Sequence, residues 1–259
     1  NAKWTIIEPN PNPSKGVTAD YIKGFFNKEF TSLIEFDTIV HSHVFEHLYE
    51  PKIFIENISR FLKQGQKLIF SIPNMNEMMN RKHNNFLNFE HTYFLSEEYT
   101  DYFLTNNNFR IINKKHFKKD HSIFYEAIKD NSVKKASISN TYAKNNKTLF
   151  LKYINHNIKL VNELNNIIAN EKNPIFLFGA HIFAQYLISM GLNTSKTICI
   201  LDNDIKKQKK RLYGTSLNVK SPKILANYEN PIVILRAGVY DEEIRTDILE
   251  NINSQVKFI

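Results

Sequence analysis

Short apolar runs alternate with segments of helical period through most of this chain, and that alternation restricts it to an α/β fold built on a largely parallel sheet. Trp4 to Ile7 is β-prone and ends at Glu8, after which Pro9, Pro11 and Pro13 forbid helix or central strand. Residues 18–26 fit either a helix or a short strand. Phe36 to His43 reads as a buried strand that leaves into polar residues. Pro51 to Leu62 places Ile53, Phe54, Ile58, Phe61 and Leu62 at helical spacing, Gly65 is placed to cap that helix, and Lys67 to Asn74 is a strand stopped by Pro73.

From Asn74 to Glu90 the chain is rich in Asn and Met with little periodicity, which suggests a lid or insertion more than a core element. Ser96 is a plausible cap for a helix through Leu104, and the runs Phe109–Ile112 and Ser122–Ile128 read as paired strands. Polar residues follow from 130 to 147. A connecting helix then carries Leu149, Leu151, Ile154, Ile158, Leu160, Val161 and Leu164. Beyond it Pro174–Ala180, Thr197–Leu201 and Pro231–Leu235 are strands, with a helix after the first running to Met190-Gly191 and one after the third starting near Asp241. These elements divide the chain into a domain at 3–130, a linker and helix at 131–171, and a second small α/β domain at 172–259.

Composition narrows the function classes. With 259 residues, 42% of them hydrophobic, two domains can each bury a core. No apolar run approaches the roughly 20 residues of a membrane span, and no secretory leader pattern is visible, so the expected location is cytoplasmic. The lone Cys199 lies in an apolar run and reads as core filler; it excludes an internal disulfide and a cysteine metal cluster within these residues. The net charge of +8 comes from lysines scattered among asparagines, which argues against a nucleic-acid partner. The dense run Lys206-Lys207-Gln208-Lys209-Lys210-Arg211 reads as a solvated face, with a nucleotide diphosphate as a possible partner. Asn1-Ala2 reads as an addition to a natural boundary near Lys3.

The stretch Phe36–Leu48, with Leu62, Gly65 and Ile72-Pro73-Asn74, resembles the later half of class I S-adenosylmethionine methyltransferases over roughly residues 3–128. The resemblance implies that Glu8, at a strand's carboxyl end, meets the ribose hydroxyls of S-adenosylmethionine. It implies too that Ser42, His43, Glu46 and His47 line the sulfonium and amino-acid end of this cofactor, where neutral imidazoles suit a cation better than lysine would. His43 and His47 are also spaced as a metal pair on a helix, but no metallopeptidase pattern with a third ligand follows, and the expectation is no metal.

Phe89-Glu90-His91-Thr92-Tyr93-Phe94 resembles the Glu-His pair of sugar C-methyltransferases, which makes His91 the base that removes the acceptor's proton and Glu90 its helper. Imidazole has the intrinsic pKa for that task, and methyl transfer otherwise needs chiefly an in-line approach of the nucleophile. Those enzymes carry tyrosine two positions before the glutamate; Asn88 stands there in this chain, which leaves O- or N-methylation open. Gly179-Ala180, Asp202-Asn203-Asp204, Gly214 and Ser221-Pro222 resemble their carboxy-terminal Rossmann-like domain. Only the first glycine of a dinucleotide fingerprint is present, so a sugar nucleotide is the better expectation than a nicotinamide, and Asp202 is placed either to meet a ribose or to make a turn.

The fold expected is therefore an incomplete class I methyltransferase (Rossmann-like) domain followed by a second small Rossmann-like domain. The family's first strand and glycine-rich loop, and the four-cysteine zinc module that precedes them, have no counterpart before Glu8. The function expected is S-adenosylmethionine-dependent methylation of a sugar or nucleotide-linked sugar in surface polysaccharide or glycan biosynthesis. The alternatives are a non-catalytic sugar-nucleotide-binding remnant and an α/β oxidoreductase, the last disfavoured by the broken glycine fingerprint.

Overall fold

The computed structural model describes residues 2–32, 35–88, 90–118 and 121–259, apart from the side chains of Asn85 and Val239. Asn1 of the amino-terminal pair and Phe89 of the Glu-His motif lie outside the described residues. The chain forms two units, residues 1–75 with 90–142 and residues 76–89 with 143–259.

The first unit begins with β1 (Thr5–Glu8), which pairs in parallel with β2 (Asp20–Lys23) to form a two-stranded sheet. This resolves the ambiguity at 18–26 as a strand. A separate four-stranded sheet follows, from β3 (Thr38–Ser42), α1 (Pro51–Phe61) and β4 (Lys67–Pro73). Next come α2 (Met75–Asn80), α3 (Glu97–Asn106), β5 (Phe109–Phe117) and β6 (Ser122–Lys129), and the sheet order is β3-β4-β6-β5. Strands β3 and β4 are parallel; β4-β6 and β6-β5 are antiparallel. Alternate residues Leu68, Phe70, Ile72 and Ile123, Tyr125, Ala127 enter one core with Ile55 and Ile58 of α1 and Leu104 of α3. Ser96 caps α3 by accepting from the Tyr99 amide.

Three expectations need correction here. Strand β3 is not fully buried, for Val40 is 47% exposed and among the described residues only β4 flanks it. Gly65 does not cap α1, whose last turn ends at Leu62; with φ at 85° it instead turns the chain into β4 and donates its N–H to the Lys129 carbonyl. Residues 74–90 are not a lid, because α2 buries Met75, Met78 and Met79 and a short helical turn at Asn85–Leu87 buries Phe86. The Phe86 ring packs 4.9 Å from Tyr153, and Tyr153 donates its hydroxyl to Asn84.

In the second unit the long helix α4 (Asn140–Asn170) leads to β7 (Ile175–Phe178), α5 (Ile182–Ser189), β8 (Thr197–Leu201), β9 (Val219–Lys220), β10 (Ile232–Ile234), α6 (Asp241–Asn251) and β11 (Lys257–Phe258). All five strands are parallel, in the order β11-β10-β7-β8-β9. The order reverses beside β7, which makes the sheet doubly wound. Apolar clusters cover both of its faces, one containing Val161, Leu164 and Ile168 of α4, the other containing Cys199, Ile244 and Ile248. Cys199 is a buried free thiol, as expected of core filler. Among the described residues no helix is long and apolar enough to cross a membrane.

Candidate active site

At the end of β3 the chain changes direction at His43, whose φ of 50° is in the left-handed region. The turn is held by the His43 amide donating to the Ser71 carbonyl of β4, at 3.0 Å. It throws the next residues into a short 3-10 helix, Phe45–His47, anchored by the fully buried Phe45. Glu46 follows Phe45 inward and is 0% exposed. Its backbone carbonyl accepts from the amides of Thr92 and Tyr93, which ties the segment after Glu90 to this turn.

Around Glu46 a polar cluster forms. Its Oε1 lies 3.0 Å from His43 Nδ1, and His43 Nε2 lies 3.0 Å from Ser122 Oγ at the start of β6. Ser122 Oγ is also 2.5 Å from His121 Nδ1, while Ser42 and Ser71 share a hydroxyl bond of 2.7 Å. One assignment satisfies every atom of the chain: His43 donates to Glu46, Ser122 donates to His43, and His121 donates to Ser122. Carboxylate, imidazole and hydroxyl stand here in the order of a nucleophile triad. Ser122 is nevertheless 1% exposed with its oxygen engaged twice, so it does not offer a nucleophile.

On the other side of Glu46, His47 Nε2 is 3.9 Å from Oε1, His47 Nδ1 is 3.0 Å from the Glu90 carbonyl oxygen, and the His47 and His91 rings are 4.9 Å apart. A Glu46 oxygen, a His47 nitrogen and a His91 nitrogen all lie within 4.8 Å of one another. His43 and His47 do not form the helical pair that their spacing allows, because the segment is a 3-10 turn and the His43 nitrogens face Glu46 and Ser122.

Of the residues singled out from sequence, His43, Glu46, His47, Glu90 and His91 meet here, with Ser42 one residue before the turn. Glu8 does not join them: it sits on the separate β1-β2 pair and accepts from the Asn10 amide. Glu90 takes part through its backbone carbonyl. Ser71, Ser122 and His121 were not foreseen, since strand pairing alone brings them to the turn. Neither was His41, whose ring stacks on Phe70 at 4.9 Å; burial among aromatic rings, partly offset by Glu46, lowers its pKa to about 4.

The family model described as "Methyltransferase domain" matches residues 12–70, the stretch that runs from the loop after β1 through β3, the His43 turn and α1 into β4. No curated protein matches. Among solved structures, this chain is similar to the N-methyltransferase NodS from Bradyrhizobium japonicum in complex with S-adenosyl-L-homocysteine, with 14% identity, 49% of this chain and 66% of that one covered, and a TM-score of 0.36. It is also similar to a putative S-adenosylmethionine dependent methyltransferase from Listeria monocytogenes, with 10% identity, 50% and 81% covered and a TM-score of 0.40. A third is magnesium protoporphyrin IX methyltransferase from Synechocystis with bound SAH, with 16% identity, 45% and 54% covered and a TM-score of 0.34. The chain thus spans about two thirds of the first of these proteins and about half of the third.

The second unit has a site-like feature of its own. A cavity of about 240 Å³ beyond the carboxyl end of β7 is lined by His181, Gln185, Lys206, Lys207, Lys210 and Arg211 together with Asn88 and other residues. The basic run is therefore a cavity wall as well as a surface. Asp202 does not stand free for a ribose: its carboxylate accepts from the amides of Ala180 and Asp204 and pairs with Lys207 at 3.2 Å.

Proposed function

We propose that this chain is an S-adenosylmethionine-dependent methyltransferase acting on a sugar or nucleotide-linked sugar, with its chemistry in the first unit. The observation that carries the reading is that the methyltransferase-domain match at 12–70 contains the turn where His43, Glu46 and His47 gather. In this reading Ser42, His43, Glu46 and His47 face the cofactor's sulfonium end, Glu8 meets its ribose, and His91, ordered through the ties of Thr92 and Tyr93 to Glu46, takes the acceptor's proton with Glu90 as helper. Placement of the nucleophile in line with the methyl group supplies most of the rate.

The second unit is read as a Rossmann-like module, on its doubly wound strand order. Four cations around one cavity suit the phosphates of a nucleotide-linked sugar, which favours that acceptor over a neutral one. The domain limits are read as 3–130, 131–171 and 172–259; the packing units differ from these, since residues 76–89 and helix α4 from residue 143 onward group with the second unit.

A second reading rests on the split sheet. Strands β1 and β3 each have one edge with no strand partner among the described residues, and a further strand, from chain outside these residues or from a partner, fits the reading as the carrier of the cofactor's glycine-rich loop. Without it the chain is a sugar-nucleotide-binding remnant. Titration calorimetry of this chain with S-adenosylmethionine, S-adenosylhomocysteine and nucleotide sugars decides between the two. Heat with the cofactor supports the enzyme; heat with the nucleotide sugar alone supports the remnant; heat with neither refutes both.

A further inference from the structure

We infer that Glu46, His47 and His91 form a binding site for one first-row divalent transition-metal ion, contrary to the expectation of no metal. Glu46 is a fully buried carboxylate that no lysine or arginine pairs with among the described residues, and its Oε2 is enclosed without a hydrogen-bond partner. A carboxylate so placed calls for a cation, since an enclosed oxygen without a partner costs free energy. His47 supplies the direction. Its Nδ1 faces the Glu90 carbonyl, which can only accept, so the ring proton sits on Nδ1 and the lone pair of Nε2 points away from that bond. That nitrogen is 3.9 Å from Glu46 Oε1, too far for a hydrogen bond, and a ring nitrogen of His91 completes a triangle with no side above 4.8 Å.

The surroundings are those of a metal site's outer shell. His43 Nδ1 holds one oxygen of Glu46, the Glu90 carbonyl fixes the His47 tautomer, and two amides hold the backbone of Glu46. Ligands on bonds of about 2.1 Å in a tetrahedron stand roughly 3.4 Å apart, so no side of the triangle need close by more than about 1.4 Å when an ion enters. Two imidazoles and a carboxylate suit Zn²⁺, Co²⁺, Fe²⁺ or Mn²⁺ better than Mg²⁺ or Ca²⁺, which prefer shells of oxygen. Three protein ligands leave a coordination position open. Ion binding itself stands without the methyl-transfer reading; that the open position takes an oxygen of the acceptor rests on it. In the loaded site the lone pair of His91 is committed to the ion, so the direct proton removal proposed above belongs to the ion-free form.

The test is titration of the full chain, freed of metal by a chelator, with Co²⁺, followed by its visible absorption. One equivalent is expected to bind with bands of low-symmetry nitrogen and oxygen coordination and to be displaced by Zn²⁺. Affinity is expected to fall at least tenfold in His91→Ala and in Glu46→Gln, and to be unchanged in His156→Ala, an exposed histidine of the second unit. His91 is only half-buried, so that variant keeps the test informative should Glu46→Gln unfold. No saturable Co²⁺ binding by the unaltered chain, or equal binding by a folded His91→Ala chain, overturns the inference. Calorimetry with S-adenosylmethionine on the same metal-free chain fails or succeeds separately, so loss of the methyltransferase reading is told apart from loss of the metal site.

Discussion

In the second unit β7 and β10 are buried along their whole length, whereas no residue of β1 or β3 in the first unit is fully buried. All four run parallel to a neighbour, and parallel strands are ordinarily covered on both faces and both edges. The second unit meets that condition with neighbours on each side of β7 and apolar clusters on either face. The first meets it only toward α1 and α3; across the sheet Val40 and Phe124 stand 47% and 44% exposed. The polar cluster at His43 and Glu46 lies at the end of one of these thinly covered strands. Strand burial is thus unequally shared between the two units.

If chemistry resides in the first unit, His91→Ala should lower methyl transfer by roughly 10²- to 10⁴-fold in a form of the protein shown to turn over, with affinity for S-adenosylmethionine nearly unchanged. Steady-state kinetics beside calorimetry reads both, and full turnover would move the base elsewhere. Core truncation compares the cores directly. Leu68→Ala on β4 and Ile200→Ala on β8 both empty fully buried sites and should each cost about 2–5 kcal/mol. Amide exchange in the strands of the altered unit measures it, and a cost near zero for Leu68→Ala would show that the first core is already loose.

Acid should act on the first unit through His41. Its folded pKa of about 4 lies below the ordinary 6.5, so between these values the unfolded chain binds the proton more readily. Its contribution is whole above pH 6.5, falls as the pH drops toward 4, and amounts to on the order of 3 kcal/mol. Denaturant unfolding of the parent and of His41→Phe across that range tests it; equal slopes would refute it. The smallest of these effects belongs to the second unit: removing Lys210 and Arg211 together should weaken a nucleotide sugar about tenfold and flatten the salt dependence of its binding. Unchanged calorimetric affinity would free the cavity from that role.

The sequence made some of these features plain and hid others for physical reasons. The strands β4, β7, β8 and β10 were legible as apolar runs bounded by turn residues, helix α1 by the spacing of its apolar residues and α3 by its Ser96 cap. Helix α2 was not, since its six residues hold less than two full turns and its buried residues are methionines among asparagines. Strands β9 and β11, of two residues each, owe their existence to neighbours. The site divides in the same way. His43, Glu46, His47 and His91 stood out by type and by resemblance, while Ser122 reaches His43 only because β6 pairs with β4 in the register that sets it opposite Pro73. No local pattern records that register.

His43 holds its backbone in the left-handed region, with φ at 50°. A left-handed conformation costs a residue with a side chain about 1–2 kcal/mol that glycine does not incur. Selection for thermal resistance alone should therefore drift toward glycine or asparagine at 43, and selection for turnover should restore histidine. A library randomised at this one position and sorted both ways would show which demand has governed it.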